Sequence, residues 1–263
     1  MGILKKRHIT RLRKAGLGPL LDCKVKQNIN IRLCCFLMNR IDPHTMRLDL
    51  GVSNKVIEIT AYAIHLLFGL PNGNNTAPRP SESGYHKSLS ELKNGLGFGA
   101  NKEITVDKLR LLLAELVKEK ANDDLALKVF VLIMYMKFIC PGTAVRVSRE
   151  AAMVKNLDID KLKDMDLCQL LVDELKRAVM QYRKSKCKWS ALPGCIIAPV
   201  LIYLDCCFKK DLSDLDKQTP RCHFMDTEIL KLIAAADCSE KGGADPNSWI
   251  FGKLPVRKFH LLL

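Results

Sequence analysis

The chain has 263 residues, of which 48% are hydrophobic and 27% are charged. That balance excludes a disordered or collagen-like polymer and provides for a sizeable buried core. Lys and Arg together number 42 against 28 Asp and Glu, a formal net charge of +14, which favours polyanionic partners, either nucleic acid or acidic protein, by long-range attraction.

Residues 1–16 read as a basic arm carrying Lys5, Lys6, Arg7, Arg11, Arg13 and Lys14 with no acid among them. The arm is too basic and too weakly apolar to act as a secretory h-region. A turn at Gly16 to Leu21 leads into helical material with Ile31, Leu33, Cys34, Phe36 and Leu37 as its apolar positions. That helix is broken at Asp42-Pro43, because the residue before a proline is pushed out of the helical region.

Two short alternating runs around Gly51-Val52-Ser53-Asn54 predict a β-hairpin near residues 45–59. Met46, Leu48 and Leu50 share one face, and Val56 with either Ile57 or Ile59 answers them from the second run. Thr60 caps a helix from Ala61, which Gly69 stops in a left-handed conformation and Pro71 seals. The glycines of Gly69-Leu70-Pro71-Asn72-Gly73 are thus read as helix punctuation. No G-x-x-x-x-G-K-[ST] loop occurs in the chain, and Gly95 to Gly99 lacks the strand-to-helix context of a dinucleotide fingerprint.

Pro, Gly, Ser and Asn dominate from residue 71, so 71–101 is expected to be an exposed loop. Thr105 or Asp107 then starts a helix with strong 3.6-residue periodicity, and residues 123–140 form a largely buried helix stopped by Pro141-Gly142. A long amphipathic helix over 166–186 ends in Arg183, Lys184, Lys186 and Lys188, cations that suit the negative end of the helix dipole. After Pro193-Gly194 comes another apolar helix over 195–208, then one more helix and an irregular end. Both apolar runs, 125–140 and 195–208, are shorter than the roughly 20 residues a membrane span requires. The expected fold is mainly α, a multi-helix globular domain over 17–263 with one small hairpin.

The eleven cysteines include the adjacent pairs Cys34-Cys35 and Cys206-Cys207 inside apolar runs, and read as reduced, buried small hydrophobes. There is no C-x-x-C pair, and the gaps among Cys206, Cys207, Cys222, His223 and Cys238 match no common zinc pattern, so no metal is expected. Nucleophilic catalysis needs a thiol or hydroxyl beside an oriented base. Cys195, at a helix start that would lower its pKa, is the best-placed thiol, with His65, His86 and His223 as bases that nothing in the sequence places near it. The basic arm and Arg183 to Lys188 are the polyanion or nuclear-import signals. Aromatic residues do not interleave with them, which argues against a base-stacking platform.

Several of these phrases carry a resemblance. RLRKAGLGPLLDCK, then LCCFLMNRIDPHTMRLDLGVSNKVIEITAYAIHLLFGLPNG, resembles the plant mobile domain, often labelled "aminotransferase-like". FVLIMYMKFICPGTA (130–144), GCIIAPVLIYLD (194–205) and FGKLPVRKF (251–259) are similar to later phrases of that family. The resemblance implies a helical, transposon-derived plant nuclear module, tied to silencing and genome maintenance, that works through a protein partner or nucleic acid. It implies no catalytic residue, cofactor, membrane or small-molecule substrate. The aminotransferase label finds no support in the residues, which offer no phosphate cup and no strand-helix alternation of a pyridoxal-phosphate fold. A cysteine-dependent enzyme built on Cys195, an inactive transposon fragment and a cytoplasmic location stand as the alternatives.

Overall fold

The computed structural model of the protein describes residues 2–25, 30–51, 56–79, 85–141, 146–147, 151–154, 157–184, 192–207, 218–239 and 250–256. Among these residues the architecture is mainly α, with eleven α-helices and very little sheet. Helix α1 spans Lys6–Lys14, α2 Gly18–Leu21, α3 Ile31–Arg40 and α4 Ala61–Phe68. Then come α5 over Tyr85–Gly95, α6 over Val106–Leu116, α7 over Asp123–Met134, α8 over Ala151–Val154 and α9 over Leu167–Lys184. Helix α10 covers Ile197–Cys206 and α11 covers Thr227–Asp237.

The hairpin forms where the alternation places it. Strand β1 (Arg47–Asp49) pairs antiparallel with β2 (Val56–Glu58), with Leu48 opposite Ile57. Met46, Leu48, Leu50, Ile57 and Ile59 are all buried. Val56 points the other way and is 49% exposed, because it pairs with the outward Asp49 and the side-chain period of a strand is two. A second, parallel pairing of two residues joins β3 (Asn75–Thr76) to β4 (Met165–Asp166); it is too short for an alternation pattern to reveal.

Local chemistry sets the helix ends. Asn30, Thr60, Thr105 and Asp226 each accept a first-turn backbone N–H with a side-chain oxygen, capping α3, α4, α6 and α11. At the other end of α4, Gly69 takes φ 62° and donates its N–H back to the His65 carbonyl at 2.6 Å, the left-handed stop its sequence predicts. Helix α7 continues through a π-helical turn, Tyr135–Ile139, which closes with the Cys140 N–H on the Tyr135 carbonyl at 2.7 Å.

Two expectations change. Residues 71–101 are not loop throughout, since α5 occupies eleven of them and lays Leu89 and Leu92 against the core. Its flanks are rich in breakers, but the stretch itself holds good helix formers. The basic arm is largely a helix as well: α1 buries Leu12 completely and leaves His8 only 1% exposed.

Helix α4 lies at the centre of the packing, touching α9, α10 and the short 3-10 turn Arg221–His223. On another side, α7 packs on α1, α6 and α8, while α3 lies against α9 and α10. Tyr135, Tyr182, Tyr203 and Phe68 are the largest wholly enclosed side chains. Phe36 of α3 meets Phe251 edge to face, 5.2 Å between centroids, and Tyr203 at 6.5 Å, with the Arg40 guanidinium 3.8 Å over its ring.

Candidate polyanion-contact face on the first helix

Six cations of α1 and its cap divide into two groups. All three arginines are held by carboxylates brought in by the fold. Arg7 Nε donates to both oxygens of Asp123 at 2.9 and 2.8 Å and its Nη2 to the Val117 carbonyl at 3.1 Å. Arg11 donates to Asp160 at 3.0 and 2.8 Å and to Asp124. Arg13 forms a two-point pair with Asp22 at 2.7 Å on each arm. Such forked pairs fix geometry as well as charge.

The electrostatics follow. Asp123 is held down to about 2, mainly by the hydrogen bond from Arg7, with His8 adding to it. Asp160 is lowered chiefly by Arg11, with Lys14 and Lys163 contributing their charge, and Asp22 is lowered chiefly by Arg13. His8 completes this junction, its Nδ1 accepting the Lys5 N–H at 3.2 Å and its Nε2–H donating to Asp123 at 2.8 Å.

The lysines behave differently. Lys5 donates to the Lys118 carbonyl at 3.1 Å. Lys6 and Lys14 stand exposed on the outer side of the helix with the exposed Thr10 between them. At i, i+4 and i+8 these three form one stripe. They line an open depression of about 700 Å³ together with Arg7, Arg11 and Asp160. Lys163, from the 3-10 turn Ile159–Asp164, approaches the same Asp160. Five cations (Lys6, Arg7, Arg11, Lys14, Lys163) thus face three anions (Asp123, Asp124, Asp160), and the surplus sits on lysines.

Residues at the end of α9 do not join this face by any described contact. Arg183 donates Nη2 to the Ile41 carbonyl at 2.6 Å, tying α9 to the end of α3, while Lys184 is exposed. Lys186 and Lys188 lie outside the described residues. Sequence reasoning missed Lys163 and Asp160, and no local pattern could have shown them, since Arg11 and Asp160 stand 149 positions apart.

Gly69-Leu70-Pro71-Asn72-Gly73 forms a packing knot. The Pro71 carbonyl accepts from Leu167 N–H at 3.1 Å and Cys168 N–H at 3.3 Å, so it caps the start of α9. The Leu70 carbonyl accepts from His65 Nδ1–H at 2.7 Å and the Cys168 thiol at 3.4 Å. Gly73 N–H donates to the Met165 carbonyl at 3.1 Å, and a Cβ there would collide with the Asp164 carbonyl. The loop's carbonyls are thus turned towards neighbouring protein donors, the opposite of a phosphate cradle, which presents N–H groups.

Cys195 is 1% exposed, and burial pushes its thiol up to about 12. The activating effect expected from a helix start is overridden, because the charged thiolate would lose its water. The three histidines are engaged elsewhere: His65 at Leu70, His223 Nε2 at the Pro19 carbonyl at 2.7 Å, and His86 against the Tyr85 ring at 4.0 Å. Among the described residues, no three His, Cys, Asp or Glu side chains come together in a way that could hold a metal ion. No helix among them is long and apolar enough to cross a membrane.

Residues 1–199 match the family described as "Domain of unknown function (DUF8566)", and the chain belongs to that family. No curated protein and no solved structure matches it.

Proposed function

We propose that the protein is a non-catalytic helical module of the plant-mobile-domain kind, derived from a transposon, that works in the nucleus through contacts with nucleic acid or a protein partner. The observation that carries this reading is the Lys6, Thr10 and Lys14 stripe on the exposed side of α1, with Lys163 nearby. Arginines on the same helix hold the fold together, whereas these lysines keep their charge outward. An ammonium on a flexible stem suits a phosphate or a carboxylate equally. The surplus of +14 over the whole chain adds long-range attraction to either partner.

Two further observations support a role in contact rather than catalysis. The glycine-rich phrase that most resembles a ligand loop is consumed by internal hydrogen bonds. The thiol with the best case as a nucleophile is buried and pushed towards its neutral form. On this reading the module needs no cofactor and no small-molecule substrate, and its role in silencing or genome maintenance comes from what it bridges.

The test is a mobility-shift series with duplex DNA and with RNA across 50 to 300 mM salt. Binding that weakens linearly on a log-log plot supports a phosphate-contacting face. Absence of binding at the lowest salt removes the nucleic-acid branch and leaves the acidic protein partner, sought by pulldown from plant nuclei with wild type against a Lys6→Glu/Lys14→Glu variant.

A further inference from the structure

Cys23 follows α2, and Cys222 lies in the Arg221–His223 turn, about 200 positions further along. Three features place these segments side by side. Lys24 N–H donates to the Cys222 carbonyl at 3.0 Å, His223 Nε2–H donates to the Pro19 carbonyl at 2.7 Å, and the Cys23 and Cys222 thiols lie near enough to shift each other's acidity. Disulfides form only where the two Cα atoms are within about 7 Å and the Cβ atoms face each other. A backbone hydrogen bond one residue from Cys23 sets the two cysteine-bearing segments side by side, the first requirement for such a bond.

We propose that Cys23 and Cys222 form a peroxide-responsive dithiol site, which closes to a disulfide that ties the first two helices to the 221–223 turn.

The two partners have different accessibility and reactivity. Cys23 is half-buried, with exposed Asp22 and Lys24 on either side, whereas Cys222 is fully enclosed. An oxidant therefore reaches Cys23 first. The hydrogen bond from Cys222 stabilises the Cys23 thiolate and lowers its pKa, while the same bond and burial raise that of Cys222. This is the pattern of an attacking thiolate next to a resolving thiol. Buried cysteines elsewhere differ: Cys34 is pushed up to about 12 by its enclosure, and Cys206 is raised by the same cause.

Hydrogen peroxide is the co-reactant. The Cys23 thiolate attacks one peroxide oxygen, an S–O bond forms, the O–O bond breaks, and hydroxide leaves to be protonated to water. Cys222 then loses its proton and attacks the Cys23 sulfur; the S–S bond forms, the S–O bond breaks, and a second water departs. Two thiols are oxidised by two electrons and one peroxide is reduced to two waters.

Reduced protein treated with one equivalent of hydrogen peroxide, blocked with N-ethylmaleimide and digested without reductant should yield a Cys23–Cys222 linked peptide as the main oxidised product. The oxidised protein should melt at least ~5 °C higher, since the closed loop is long, and dithiothreitol should reverse the shift. Cys23→Ser should abolish both effects. If Cys222→Ala fails to fold, the wild-type peptide map still decides the matter. Cys23 recovered as free thiol or sulfinic acid after the peroxide is consumed, or joined mainly to another cysteine, overturns the proposal.

Discussion

A methyl group on Gly69 would lie 2.5 Å from Pro19 Cβ, so the end of α4 and the start of α2 meet with no room between them. Pro220 closes the same point from another side, its Cγ 2.8 Å from that position. Gly69 also has φ 62°, where a side chain costs about 1 kcal/mol even in open space. Gly69→Ala should therefore destabilise the protein by ~3 kcal/mol or more, read by urea denaturation. A cost below ~1 kcal/mol would show that α2 can withdraw freely.

Asp123 links α7 to α1, and its acidity gives the link a pH dependence. Its folded pKa, about 2, lies below the ordinary 3.8, so its contribution is complete above about pH 4 and fades as the pH falls towards 2. Partial exposure to solvent keeps that contribution near ~1 kcal/mol. In Asp123→Asn the stability difference from wild type should shrink over that acid window, measured by denaturant titration at pH 2 to 6.

Lysine and arginine substitutions on α1 should separate binding from folding. Lys6→Glu/Lys14→Glu should leave the melting temperature nearly unchanged and lower the log-log salt slope of nucleic-acid binding by about 2. Arg11→Ala should instead cost up to ~1 kcal/mol of stability, because it abandons the solvent-screened Asp124 and Asp160. If both substitutions act only on stability, the lysine stripe is not a contact face.

Asp237 is completely buried at the end of α11 and holds the chain that follows. Its carboxylate accepts from Gly252 N–H and Leu254 N–H, each at 2.9 Å, and from the Tyr203 hydroxyl. Asp237→Ala removes the buried carboxylate that these three donors share, a loss of ~3 kcal/mol. Limited proteolysis should show faster cleavage after residue 239 in the variant before the helical core is cut.

The hairpin, the α4 stop, the long α9 and the buried α7 were all legible in the sequence because each depends on local periodicity or a local cap. Helix α5 was hidden by the Pro, Gly and Ser around it, and a parallel pair of two residues has no period to detect. The candidate face was only half legible. Six cations within 1–16 were plain, but which of them stay available depends on Asp123, Asp124 and Asp160, contributed by distant parts of the chain. The lowered thiol pKa expected of Cys195 is reversed for the same reason: a helix start can be seen in sequence, whereas the walls around a thiol cannot.

Phe36 sets a lower limit on how much of this chain can live independently. The family match stops at residue 199, inside α10, yet two of the rings around Phe36 come from positions 203 and 251. A polypeptide trimmed at that boundary would expose an aromatic surface that the intact chain hides, and it should clump rather than dissolve. The unit to express, crystallise or fuse to a reporter therefore extends at least through Phe251.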